Sequence, residues 1–223
     1  MPNPTPQTKN PFTPEQISAF KQWLADKRKK QAAEQSPKPH LKDSVFTYLF
    51  SDVENQIALY SALHPEEPAP TADEIVLVTL QSVVSNHPYN DLGLFVRGRV
   101  LILVEAQCTW SVNIVLRSLM YLTRTWSDML TSINANLYGS KAVTLPKSES
   151  YVVFTGRREK RAEWLSFKDI YFPDDDCHLD FKVQCIYKKD GGNDILQQYI
   201  AFANIWDEQS HQYDEGQHMD ALR

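Results

Sequence analysis

Leu92-Gly-Leu-Phe-Val-Arg97-Gly98-Arg99-Val-Leu-Ile-Leu-Val104-Glu105-Ala-Gln107 decides the fold. Two apolar, β-rich runs flank an Arg-Gly-Arg tip, which predicts a hairpin turning at Gly98. Val100–Val104 is apolar on both faces, so the second strand should lie inside a sheet. Upstream, Glu74–Val84 contains a short β-branched run, Ile75 to Leu80, that reads as a further strand; residues 85–90 (SNHPYN) read as a turn. Before that, Asp43 or Ser44 can cap a helix running to about Leu63, with Val45, Phe46, Leu49, Phe50, Val53, Ile57 and Tyr60 on its apolar face.

Downstream, Ser111 to Leu130 reads as a helix, apolar at Val112, Val115, Leu116, Leu119, Met120 and Leu122. Residues 131–149 are turn-rich, and Tyr151–Thr155 reads as a strand ended by Gly156. A polar, basic loop, an acidic loop over 172–176, a strand over Leu179–Tyr187 and a helix over Asp194–Trp206 complete the chain. This order, helix, three strands, helix, strand, then additions, predicts an α/β protein with a central sheet flanked by helices.

Residues 1–12 are polar and proline-rich. A helix with Pro14 at its first position, an apolar stripe of Ile17, Phe20 and Leu24, and a Lys27–Lys30 end follows; residues 35–40 read as a linker. The expected organisation is a flexible basic N-terminal arm with a short helix over 1–41, a main domain over 42–208 and a frayed tail over 209–223. The net charge of −5 is divided unevenly. Residues 1–42 hold eight Lys/Arg against three Asp/Glu, and the rest hold 15 against 25. An acidic domain is a poor generic binder of duplex DNA, whose affinity comes from neutralised phosphates.

The longest apolar run, Val100–Val104, is far short of the roughly 20 residues of a membrane span. No signal-like stretch opens the sequence, so a cytoplasmic location and no membrane partner are expected. Cys108, Cys177 and Cys185 form neither a disulfide framework nor, even with His178, a usual zinc spacing.

Asp91 precedes the hairpin; Glu105 and Gln107 end its second strand. Side chains alternate along a strand, so Glu105 and Gln107 should project from one face. Gly98 lies midway between Asp91 and Glu105, so antiparallel pairing should bring these two carboxylates together. Converging carboxylates form a hard-oxygen site suited to Mg²⁺, with Mn²⁺ as an alternative. The bland alternative is a wet strand end with Asp91 capping a turn.

Read together, several segments resemble a bacterial family. They are Lys42-Asp-Ser-Val-Phe-Thr-Tyr-Leu-Phe50, Asn90-Asp-Leu92, Val104-Glu-Ala-Gln-Cys-Thr-Trp110, Asn113 and Leu116-Arg-Ser-Leu-Met-Tyr121. The family is the recombination-promoting nuclease, transposase-related branch of the PD-(D/E)xK superfamily, and the likeness runs from about Lys42 to Trp206. It implies a restriction-endonuclease-like core (α-β-β-β-α-β) with a central mixed sheet and C-terminal strand and helix additions. It implies a Mg²⁺-dependent DNA endonuclease linked to recombination or mobile elements. Asp91 and Glu105 would bind metal, and Gln107 stands where the superfamily pattern has lysine. Glu54 would be an accessory acid, with Asp52 the competing choice. Arg117 and Asn113 would support the site. A glutamine can orient water but supplies no positive charge. That departure and the acidic balance keep open a catalytically weak or inactive binding module. A homodimer would follow only by analogy with enzymes that pair two sites to cut both strands. Asp174 with Asp180-Phe-Lys182 also spells the motif, but five residues leave no room for the intervening strands.

Overall fold

The computed structural model describes the backbone of residues 12–34, 45–46, 48–78, 92–107, 110–156 and 162–220. Side chains are described for these except 27–28, 30–34, 101–107, 207 and 209–220. The elements are α1 (Pro14–Glu34), α2 (Val53–Leu63), β1 (Ile75–Val78), β2 (Leu92–Val96), β3 (Arg99–Gln107), α3 (Ile114–Ser132), β4 (Lys147–Phe154), β5 (Trp164–Ser166), α4 (Phe167–Tyr171), β6 (Lys182–Ile186) and α5 (Ile195–Asp220). The six strands form one mixed sheet in the order β1-β2-β3-β4-β6-β5. β1, β2 and β3 pair antiparallel, β3, β4 and β6 run parallel, and β5 returns antiparallel on β6. The protein is thus α/β, with helices on both faces of a mixed sheet.

Strand alternation sorts the core into two layers. Phe95, Val100, Val152, Val183 and Cys185 pack with Phe20 and Leu24 of α1 and Ile114, Val115 and Leu122 of α3. Leu92, Leu94, Val96, Tyr151 and Val153 pack with Leu59 and Tyr60 of α2 and Leu196, Tyr199 and Ile200 of α5. Phe20 meets Phe95 edge to face at 5.5 Å between ring centroids. Fully burying one such side chain stabilises by about 1.5–3 kcal/mol. The helix of the expected N-terminal arm is therefore part of the same core, because its apolar stripe covers the β2 face.

The hairpin is a two-residue turn with both central residues left-handed, Arg97 at φ 50° and Gly98 at φ 82°, between the paired Val96 and Arg99. Such a turn matches the strand twist. A non-glycine residue costs about 1–2 kcal/mol in this region. Arg97 is held there by its guanidinium. Nε and one terminal nitrogen donate to Glu74 Oε2 (2.9 and 2.6 Å), and the terminal nitrogens donate to the carbonyls of Pro68 and Ala69.

Several expected boundaries move. The helix expected from residue 43 to Leu63 is interrupted at Phe50–Asp52, where Asp52 accepts from the N–H groups of Glu54 and Asn55 and so starts α2 afresh. The expected caps Asp43 and Ser44 lie outside the described residues, as do Leu80 and the turn over 85–90. α1 runs four residues past Lys30, and α5 continues to Asp220 through a stretch without proline. β4 begins at Lys147, four residues before Tyr151, because β3 lies beside it in parallel from Arg99 onward. β5 and α4 were not anticipated. Ser166 ends β5 and caps α4 by accepting from the Asp169 N–H. Among the described residues, no helix is long and apolar enough to cross a membrane.

Candidate functional site

The β2–β3 ladder runs toward the residues predicted to carry chemistry and stops short of them. Leu92 pairs with Leu103, so the start of β2 lies beside the middle of β3. Asp91 precedes Leu92 by one residue but lies outside the described residues. Glu105 and Gln107 have their backbone in β3; their side chains lie outside the described set. The β3–β4 register shifts between Val104, opposite Val152, and Gln107, opposite Phe154. Two residues of β3, Glu105 and Ala106, thus stand against the single Val153 of β4. A bulge of this kind re-aims side chains and recurs beside functional sites. The one-face projection of Glu105 and Gln107 therefore no longer follows from regular pleating.

α3 starts shortly after this strand end. Asn113 occupies its N-cap position without a side-chain cap hydrogen bond, and its Oδ1 instead accepts from the Tyr171 hydroxyl at 3.0 Å. That contact ties the end of α4 to the start of α3. Arg117, half-buried, follows one turn later, with its backbone N–H donating to the Asn113 carbonyl. Thr155, just past the Phe154–Gln107 pairing, is buried, and its hydroxyl has no hydrogen-bond partner among the described residues. Such a group costs about 1–3 kcal/mol.

Glu54 is exposed in the first turn of α2. Asp52, the competing accessory acid, is engaged as the α2 cap. Among the described residues, no three His, Cys, Asp or Glu side chains cluster to hold a metal ion. The second spelling of the motif is occupied structurally. Asp180 accepts from the Ser166 hydroxyl at 2.7 Å and lies 3.5 Å from Lys182 Nζ, beneath α4. Cys177 donates to the Leu179 carbonyl, and Cys185 is buried in the core. Cys108, His87 and the basic cluster Arg157, Arg158, Lys160 and Arg161 lie outside the described residues.

The opposite end of the sheet holds a polar network that sequence reading missed. Glu149 of β4 receives His64 Nε2 at 2.6 Å and the Tyr151 hydroxyl at 3.0 Å on one oxygen, and Lys147 Nζ at 2.8 Å on the other. Arg99, first residue of β3, donates to Glu67 Oε1 at 2.7 Å, and the Tyr60 hydroxyl donates to Glu67 Oε2 at 2.6 Å. Burial would raise the Glu149 carboxyl, but the donated hydrogen bonds and the cations outweigh it and hold it at about 2. Burial also pushes the Tyr60 and Tyr151 hydroxyls well above the usual tyrosine range. The available sequence signal was Lys147-Ser-Glu149-Ser ahead of Tyr151-Val-Val-Phe, two charged residues spaced two apart at the head of an apolar strand. These features describe a fold clamp at one end of the sheet and an irregular strand end at the other. No family model, curated protein or solved structure matches the chain.

Proposed function

We propose that the chain is a Mg²⁺-dependent DNA endonuclease with a restriction-endonuclease-like core, in which Asp91 and Glu105 hold the metal and Gln107 orients the attacking water. The observation that carries this reading is the Leu92–Leu103 pairing. It ends one residue short of Asp91 and two short of Glu105 in the chain. The order α2, β1, β2, β3, α3, β4 supports the same core. The bulge at Glu105–Ala106 and the Thr155 hydroxyl, unpartnered among the described residues, are irregularities of the sort that binding sites retain.

The donor chemistry suits the ion. Two carboxylates with an amide beside them form a hard-oxygen set that prefers Mg²⁺ or Mn²⁺ to softer metals. Bound there, the ion would supply charge stabilisation at phosphate oxygens and a more acidic water. Asn113 has its carbonyl oxygen committed to Tyr171, which leaves its amide N–H₂ as the donor for a phosphate oxygen. Arg117 extends the same helix turn toward a second phosphate or braces the site. Glu54 would serve as an accessory acid from the exposed first turn of α2. Gln107 gives neutral hydrogen bonds where lysine would give charge, so turnover should be slow.

The acidic balance outside residues 1–42 favours a second reading, a nuclease-fold binding module without turnover. Nicking of supercoiled plasmid by purified protein with Mg²⁺, with Mn²⁺ and with EDTA separates the two, with Glu105→Ala alongside. Metal-dependent nicking lost in the variant is the expected result. Equal background from both proteins with either metal would leave only the binding module.

A further inference from the structure

His64 closes α2 and is only 6% exposed. Its ring stacks on Tyr60 with centroids 4.4 Å apart. Nδ1 lies 3.2 Å from the Tyr60 carbonyl, and Nε2 lies 2.6 Å from Glu149 Oε2. Both facing oxygens are acceptors. A carbonyl has no proton to give, and Glu149 is ionised across the neutral range. A neutral imidazole has one N–H, so either tautomer leaves one ring lone pair against an oxygen. Only the imidazolium donates to both.

The surroundings agree with that count. The α2 C-terminus presents the negative end of the helix dipole. Glu149 and Glu67 supply negative charge from β4 and from the segment after α2. Arg99 of β3 and Lys147 of β4 oppose protonation, but Lys147 is 67% exposed and its field is screened by water. Tyr60 and Tyr151 remain neutral. Burial pulls the His64 ring toward the uncharged form; the Glu149 hydrogen bond and charge, the Tyr60 carbonyl and Glu67 outweigh it, and the net shift is upward.

We infer that His64 is an imidazolium latch fastening the end of α2 to the start of β4, and that loss of its proton breaks one of the two ring contacts and loosens this corner. The sign follows from linkage. A group whose folded pKa is raised contributes stability that is complete below the ordinary histidine value, about 6.5, and is lost as pH rises through the folded value. The latch opens on the alkaline side.

The test uses the full chain labelled with ¹⁵N-histidine, with long-range ¹H–¹⁵N spectra followed over pH. His64 should keep protons on both ring nitrogens after the other histidines have lost theirs. In Glu149→Gln it should titrate with the others. Amide hydrogen exchange, corrected for intrinsic rate, should then show residues 60–69 losing protection about tenfold relative to β2 as His64 deprotonates. A His64 that titrates with the other histidines in the unmodified chain, or a deprotonation with no local loss of protection, overturns the latch.

Discussion

The two ends of the central sheet are built to opposite rules. Where β3 and β4 begin, charged groups are paired and closed on one another: Glu149 takes three donors, Arg99 serves Glu67, and Arg97 pins the turn to Glu74. Where β3 ends, the register slips, the buried Thr155 hydroxyl has no partner among the described residues, and Asn113 at the start of α3 is exposed. Glu149, His64, Arg99 and Glu67 at the first end satisfy one another, although the neighbouring buried Ser150 hydroxyl of β4 has no partner among the described residues. A satisfied buried network serves stability, whereas unsatisfied polar groups at an irregular strand end are what a ligand would complete.

The contrast can be broken by experiment. Glu105→Ala should cut metal-dependent nicking roughly a thousandfold, the loss of several kcal/mol of transition-state stabilisation, while the urea midpoint stays within error. A large stability loss instead would put Glu105 in the structural class. Glu149→Ala should do the reverse. Removing one partner of a buried pair costs about 3–5 kcal/mol, read from urea unfolding, with specific activity of the folded fraction retained. The same carboxylate predicts an acid limb. Its folded value of about 2 lies below its ordinary 4.5, so its contribution is complete above pH 4.5 and drains as pH falls toward 2. A Glu149→Gln chain should show a shallower loss over that window.

Gly98→Ala should cost about 1 kcal/mol, because φ of 82° suits only glycine well. The smallest effect should come from Glu54→Ala, within about 0.5 kcal/mol by urea unfolding, since the side chain is exposed. If that change nonetheless lowers nicking, the accessory role stands and the contrast between the two ends sharpens.

Local chemistry was legible in the sequence, and distant pairing was not. The hairpin was readable because turn residues and strand composition sit within one stretch. α3 was readable from its apolar spacing. The break before α2 was hidden because Phe46, Phe50 and Leu59 all belong to one apolar face, and only the Asp52 cap shows where the helix restarts. β5 escaped because three residues carry no periodicity. The network escaped for a different reason. His64 and Glu149 are 85 positions apart, and Arg99 and Tyr60 are 39 apart; nothing local in either partner names the other. Of the candidate site, the strand ends and α3 placement were read from spacing, whereas the bulge was not. It depends on how β3 meets β4, and a single strand's alternation cannot contain that.

The same separations bear on the order in which the molecule assembles. β2 and β3 are joined by two residues, so their pairing closes a minimal loop and can form early. The parallel β3–β4 ladder must wait for a crossover of some forty residues through α3. The His64–Glu149 contact joins residues 85 positions apart and is expected to form late, which a φ-value near zero for Glu149→Gln would show. Interactions absent from the transition state govern escape from the native state rather than arrival. With a φ-value near zero, the clamp at the head of β4 would act as a brake on unfolding, setting how long a folded molecule lasts more than how quickly one is made.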